Sequence, residues 1–262
     1  MNIDPVAFSL GPITVRWYGL LIASAMLIAA VGGCKIMGRA GIDEDDFLTI
    51  FMVTIVAAIA GARAYYVIFD WPYYAQHPGE ILATWHGGLA VHGGLIAGVI
   101  AIYWGCRHYH ISFWQFADIM APFMILGQAI GRWGNFFNQE AYGYEVDPSQ
   151  VPWAMWIDGA YRHPTFLYES CWDLLVFFAL LWLARQAFMR RGEIGLSYLM
   201  LYSVGRVVIE GFRTDSLMLG PLRAAQVMSL LLFTGAMLVL IYRRKTGKAE
   251  MRPKIAGKQR LG

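Results

Sequence analysis

Apolar runs of roughly twenty residues recur along this chain, and they limit it to one kind of fold. A hydrocarbon core ~30 Å thick needs about 20 residues of helix to cross it. Such runs cover residues 17–37, 47–69, 87–105, 113–130, 165–188, 194–212 and 222–242. In lipid a backbone must satisfy its own polar groups, so each run is expected to be helical. Composition agrees. Hydrophobic residues make up 58% of 262, charged residues only 15%, and mean hydropathy is +0.47. These values exclude an ordinary soluble domain. The expected fold is an all-α integral membrane protein with about seven transmembrane helices. Residues 1–242 are expected to form one polytopic domain, with a polar segment at about 131–164 outside the lipid. The segment up to Gly11-Pro12 is short enough to lie on the membrane surface. The first apolar run follows Arg16 directly and continues as a span, so no cleavable signal peptide is expected. Residues 243–262 are expected to be a basic, disordered tail.

The placement of positive charge orients the chain. Lys35, Arg39, Arg107, Arg185, Arg190, Arg191 and eight Lys/Arg of the tail fall on one side, fourteen in all; Arg16, Arg132, Arg162, Arg213 and Arg223 fall on the other, and Arg63 and Arg206 lie inside spans. Cytoplasmic loops carry the excess of Lys and Arg, which puts the C-terminus in the cytoplasm. An odd number of spans then puts the N-terminus outside, with segment 131–164 and the aromatic-rich loop 71–85. The net charge of +3 is small, and no nucleic-acid partner is expected. Cys34, Cys106 and Cys171 are scattered in or beside apolar runs. They read as small core residues, with neither a disulfide framework nor metal-ligand spacing.

Polar residues concentrate at a few points. Gly131-Arg-Trp-Gly-Asn-Phe-Phe-Asn-Gln-Glu-Ala-Tyr-Gly143 ends the fourth run. Arg132 and Glu140 are costly near hydrocarbon, Asn135 and Asn138 add amides, and Gly131, Gly134 and Gly143 let the backbone leave helical geometry or approach a ligand. This is either a polar site at the headgroups or a helix cap with a solvated loop. In the sixth run, Tyr202, Arg206, Glu210 and Arg213 stand at offsets of 0, 4, 8 and 11. They fall on a stripe about 80° wide, with Arg206 and Glu210 one turn apart. The stripe faces a wet cavity or forms a buried ion pair between helices. His86-Gly-Gly-Leu-Ala-Val-His92-Gly-Gly-Leu opens the third run. His92 is a candidate proton acceptor, with the glycines offering backbone donors; otherwise the glycines pack helices. His86 is assigned to the membrane interface. Arg63 is intramembrane and needs a partner. Tyr18 stands where interface anchors do. His163-Pro-Thr-Phe-Leu-Tyr168-Glu169 could cap the fifth helix.

Arg132 and Arg206, with Arg63, concentrate positive charge at one membrane face. A guanidinium presents a planar fork that matches phosphate oxygens. The residues alone therefore point to a membrane protein that handles an anionic lipid at its outer face. A transporter or flippase for an anionic lipid, or a scaffold whose polar face binds a partner, fits the same residues; no inverted repeat supports the former.

These stretches resemble the bacterial prolipoprotein diacylglyceryl transferase family. The matching residues are His92-Gly-Gly-Leu, Gly131-Arg132-x-Gly134-Asn135-Phe-x-Asn138-x-Glu140-x-x-Gly143, His163-Pro-Thr-x-x-Tyr168-Glu169 and Tyr202-x-x-x-Arg206-x-x-x-Glu210-x-x-Arg213, with Gly61-Ala-Arg63 and Trp17-Tyr18-Gly19. The likeness runs from about Arg16 to Asp215. It implies transfer of the diacylglyceryl group of phosphatidylglycerol to the lipobox cysteine of a prolipoprotein, in the bacterial inner membrane with the site toward the outer leaflet. A thioether forms and glycerol 1-phosphate leaves. His92 is then the candidate base, and Arg132 and Arg206 the phosphate clamp. Asn135, Glu140, Gly143, Tyr18 and Arg63 would line the headgroup site, and Tyr202, Glu210 and Arg213 would order Arg206. No metal or cofactor is expected.

Overall fold

The computed structural model describes residues 4–11 and 13–252, without the side chains of Ile13 and His86. The expected interface position of His86 therefore lies outside the described residues. Among the described residues seven helices run 18 to 26 residues: α1 (Trp17–Arg39), α2 (Glu44–Phe69), α4 (Val91–His108), α5 (Phe113–Asn138), α6 (Thr165–Leu183), α7 (Glu193–Glu210) and α8 (Ala224–Lys245), with a short α3 at Trp71–Tyr74. By length and composition α1, α2, α6 and α8 can each cross a membrane. Many of their apolar side chains stay uncovered by the chain itself, such as Leu27, Val56, Leu175 and Leu238. That is the pattern of helices whose solvent is lipid. The other three carry Glu193, Arg206 and Glu210 (α7), Asp118, Arg132 and Asn135 (α5), or a glycine-rich start (α4).

The described chain divides into two compact units, 4–33 with 117–252, and 34–116. In the first unit, Ala121 and Ile125 of α5, Val176 and Leu180 of α6, Met189 from the α6–α7 connection and Ile194 of α7 form an apolar cluster. Lipid tails are as apolar as these side chains, so packing and hydrogen bonds decide helix association. Trp172 on α6 lies against Gly205 on α7, where any Cβ would collide with its ring, and its Nε1 donates to Leu201 O at 3.0 Å. Ser170 on α6 donates to Ala129 O on α5 and accepts from Trp133 Nε1. The first N–H groups of α7 have no intrahelical partner. Buried Asp118 of α5 accepts from Gly192, Ile194 and Gly195 N at 2.8–3.0 Å and so fixes where α7 begins.

In the second unit α2 and α4 pack through small residues. A Cβ on Gly61 would stand 2.7 Å from Gly93 O, and Gly93 is as tightly closed by Gly61 and Tyr65. The second His-Gly-Gly unit is therefore packed at its glycines.

Three sequence expectations need correction. Helix α5 does not break at Gly131 or Gly134 but continues to Asn138. Gly134 leaves room for the ring of Tyr18, while Trp17 stacks on Phe137 at 5.0 Å. The fold is also not wholly helical. Two-stranded hairpins pair β1 (Val6–Leu10) with β2 (Ile13–Arg16), β3 (Met155–Ile157) with β4 (Ala160–Arg162), and β5 (Met218–Leu219) with β6 (Leu222–Arg223). The second turns at Asp158-Gly159, both at positive φ, the pattern of a two-residue hairpin loop. Finally, the tail is ordered as far as Arg252. Arg244 forks onto buried Glu193 at 2.6 and 2.7 Å, Arg252 Nη1 donates to Ala184 O, and Arg190 bridges Met251. Residues 253–262 of the expected disordered tail lie outside the described residues.

A candidate anion site built around Glu169

Of the three arginines expected to gather, Arg132 and Arg206 meet, joined by Arg213 and not by Arg63, and what they meet on is a carboxylate. Glu169 stands on the second turn of α6 and is 4% exposed. Arg132 of α5 places Nε 2.5 Å from one oxygen. Arg206 of α7 places Nη1 2.5 Å from the other, and Arg213, just beyond α7, lies 3.5 Å from it. Arg206 also pairs with Glu210 at 2.7 Å, one turn along α7. Arg213 lies 3.9 Å from Glu210 and binds Asp215 at 2.7 Å. That hydrogen bond from Arg213 holds the Asp215 carboxyl below the ordinary carboxylate range.

Three cations and three anions thus form one lattice across α5, α6 and the end of α7. Buried ions must be paired or wet. Here they are paired, and the arginine side chains keep partial exposure of 20, 16 and 12%. Arg132 meets Glu169 through Nε, which leaves its two terminal amino groups outside that ion pair. The lattice is therefore pre-oriented and close to neutral. A further buried acid, Asp173, follows one turn along α6, and its Oδ2 has no hydrogen-bond partner among the described residues.

The segment after α5 holds this lattice in place. The chain turns at Gln139 and Ala141, both at positive φ. Residues 142–146 then lie between two neighbouring stretches. Gly143 N donates to His163 O, Tyr144 N to Phe212 O, and Val146 N to Tyr161 O. Gly143 also bridges Arg213. A Cβ at Gly143 would stand 2.6 Å from His163 Cβ and 2.8 Å from Phe212 O, so only glycine fits. Thr165 donates to Ala141 O at 2.5 Å, which ties the start of α6 to the same strip. The His163–Glu169 motif, expected to cap α6, gives it no side-chain cap: Pro164 stands at the N-cap. Tyr168 OH accepts from Trp153 Nε1 and meets His163 Nδ1 at 3.0 Å, one residue before Glu169.

The remaining predicted residues divide. Asn135 and Asn138 both donate to Glu140, at 3.0 and 3.2 Å, on an exposed rim. Tyr202 stacks against Tyr198 in α7. Tyr18 covers Gly134, on the α5 turn that follows Arg132. Arg63 and His92 belong to the second unit. Arg63 is 6% exposed and donates to carbonyls only: Ile81, Gly87, Gly88 and Glu80, at 2.6–2.9 Å. Gly87 and Gly88 take positive φ, and these glycines give the arginine acceptors rather than offering donors. His92 is exposed at the start of α4, with Tyr65 beside its ring. The residue that sequence reasoning missed is Glu169. Its signal was present, an acid inside a run long enough to cross lipid.

Comparison with known proteins meets this geometry. The family model for prolipoprotein diacylglyceryl transferase matches residues 5–242. A phosphatidylglycerol–prolipoprotein diacylglyceryl transferase of Bacillus cereus (strain Q1) is 49% identical over 260 residues, 96% of each chain. One of Bacillus anthracis is 48% identical over the same length and shares. One of Limosilactobacillus reuteri (strain DSM 20016) is 46% identical over 252 residues, 92% of each chain.

Proposed function

We infer the activity from one premise: this chain belongs to the prolipoprotein diacylglyceryl transferase family. It is a membrane enzyme that transfers the diacylglyceryl group of phosphatidylglycerol to prolipoproteins. The finer reading is as follows. The acceptor is the lipobox cysteine after the signal peptide. Its sulfur attacks the glycerol carbon that bears the phosphate. A C–S bond forms, the C–O bond breaks, and glycerol 1-phosphate leaves while the thiol proton passes to a base. The thiolate is the nucleophile, so a base near the thiol raises the reactive fraction. His92 fills that role, as histidine exchanges a proton near neutral pH.

Arg132 and Arg206 grip the phosphodiester and take up charge on the leaving oxygen. The observation that carries this reading is the convergence of three guanidinium groups on one buried carboxylate. Glu169 and Glu210 orient the cations before lipid arrives, so little reorganisation accompanies the transition state. Asn135, Glu140 and Gly143 frame the headgroup, with Tyr18 behind. The chain crosses the bacterial inner membrane seven times, N-terminus outside and C-terminus in the cytoplasm, and the site opens to the outer leaflet. The long helices and the bias of Lys and Arg support that arrangement. Incubating the purified protein with phosphatidylglycerol and a lipobox peptide tests the reading. Thioether-linked peptide is expected, and His92→Gln is expected to abolish most of it. Lipid relocated without thioether would instead indicate a carrier.

A further inference from the structure

Arg223 is a partly buried cation that the transfer chemistry does not use. It precedes α8, where its backbone N–H donates to Gln226 Oε1 at 3.2 Å. Gln226 Nε2 in turn donates to Val207 O on α7 at 3.0 Å. The Arg223 side chain runs to the end of α7. Its Nη1 donates to the carbonyls of Glu210 and Arg213 and to Ser216 Oγ, and its Nη2 to the hydroxyl of Tyr144. The guanidinium centre stands 5.6 Å from the Tyr144 ring. Carbonyls in the last turn of a helix lack partners, and a cation there is favoured by the helix dipole.

Arg223 connects onward to the lattice. Ser216 Oγ, accepting from Arg223, donates to Glu210 Oε1 at 2.7 Å. The other Glu210 oxygen is the one that holds Arg206. The route therefore runs from Tyr144 through Arg223, Ser216 and Glu210 to Arg206. The same guanidinium fixes the carbonyl of Arg213, whose backbone bridges Gly143. One side chain thus sets the end of α7 against the strip that starts at Gly143.

We propose that Arg223 is a positioning residue for diacylglyceryl transfer: it holds the C-terminal end of α7 so that Glu210 presents Arg206 to the lipid phosphate. This deepens the reading above and rests on it. Arg223 acts through Glu210, directly at its carbonyl and by way of Ser216 at its carboxylate, and is not a catalytic residue. Lysine cannot replace it, because one ammonium does not reach two carbonyls, a serine and a tyrosine at once.

The test uses the full-length protein in phosphatidylglycerol-containing nanodiscs, with a lipobox peptide as acceptor. Arg223→Gln is expected to lower kcat/KM for phosphatidylglycerol about tenfold, with the peptide KM unchanged, since a small displacement of a clamp acts on the transfer step. Arg223→Lys is expected to recover no more than about twofold of that loss. In a Ser216→Ala background, where the side-chain branch is cut and the two carbonyl bonds remain, Arg223→Gln should add less than its effect alone. Ser216→Ala and Tyr144→Phe, which remove one hydroxyl each, should move kcat/KM the same way and keep the comparison open if Arg223→Gln does not insert. Unchanged kcat/KM in these variants overturns the proposal. So does full additivity with Ser216→Ala accompanied by a matching fall in unfolding temperature, which marks a scaffold bond only. If the wild type transfers nothing, the transferase reading fails, and the positioning claim is read from glycerol 1-phosphate binding. Arg223→Gln must weaken that binding about tenfold for the claim to stand.

Discussion

Arg63 and the Arg132–Arg206–Arg213 lattice answer the same physical problem in opposite ways. Each places guanidinium groups where hydration is scarce. Arg63 is caged by four neutral carbonyls, which take four of its five N–H donors. The lattice arginines are held by carboxylates, keep partial exposure, and share their acceptors. An arginine that closes a loop looks like the first; the second is the arrangement that the proposed phosphate clamp needs. Burial of an arginine alone does not separate them, and the identity of the acceptor does.

Changes on each side sharpen that contrast. The largest effect is expected at Glu169. Glu169→Gln keeps the shape but removes the charge that three guanidinium groups share, and the transfer rate should fall by about 10³ as the preoriented clamp is lost. Membrane insertion, followed by detergent extraction and gel filtration, should stay normal. An activity within tenfold of wild type would place Glu169 outside the site. Arg63→Lys comes next and should show the reverse profile. It keeps the charge, loses most of the carbonyl bonds, and should destabilise by about 2–4 kcal/mol at ~1 kcal/mol per bond. The thermal unfolding midpoint should drop while kcat stays within about tenfold. A large loss of kcat with normal stability would move Arg63 into the anion-binding class. Asp215→Asn should have the smallest effect, under about threefold in rate, since half of the Asp215 side chain is exposed. Its carboxyl is held low by Arg213. Its contribution to stability is therefore full above the unfolded value of about 3.9 and is lost as pH falls through the lower folded value. Unfolding midpoints of wild type and Asp215→Asn should differ at pH 6 and converge in acid.

Much of this was legible in the chain. Offsets of four residues put Arg206 and Glu210 on one helix face, and they pair there. The long apolar runs marked the seven long helices to within a few residues at most ends. Other features were hidden by reading each residue type in one way. Gly131 and Gly134 suggested an interrupted helix, yet a membrane helix also uses glycine for close packing, and Gly134 makes room for Tyr18. Arginines inside apolar runs stand out in the sequence more than the acids opposite them, so Glu169 and Asp173 in α6 read as parts of a cap and a span. The Asp158-Gly159 turn is a hairpin signal, obscured by the polarity of its surroundings. The docking of Arg244 on Glu193, and of Arg252 with its Nε 3.7 Å from Asp118, is not legible locally, because each pair joins residues far apart in sequence.

The central claim is that the arginines gathered on Glu169 grip the lipid phosphodiester while sulfur displaces it. The most direct test is the rate of thioether formation on a lipobox peptide by Arg132→Ala, purified in its folded, membrane-extracted form and saturated with phosphatidylglycerol. The account predicts a fall of about 10²–10³ relative to wild type, the size of losing a preorganised charge-stabilising donor. A rate within twofold of wild type would contradict it.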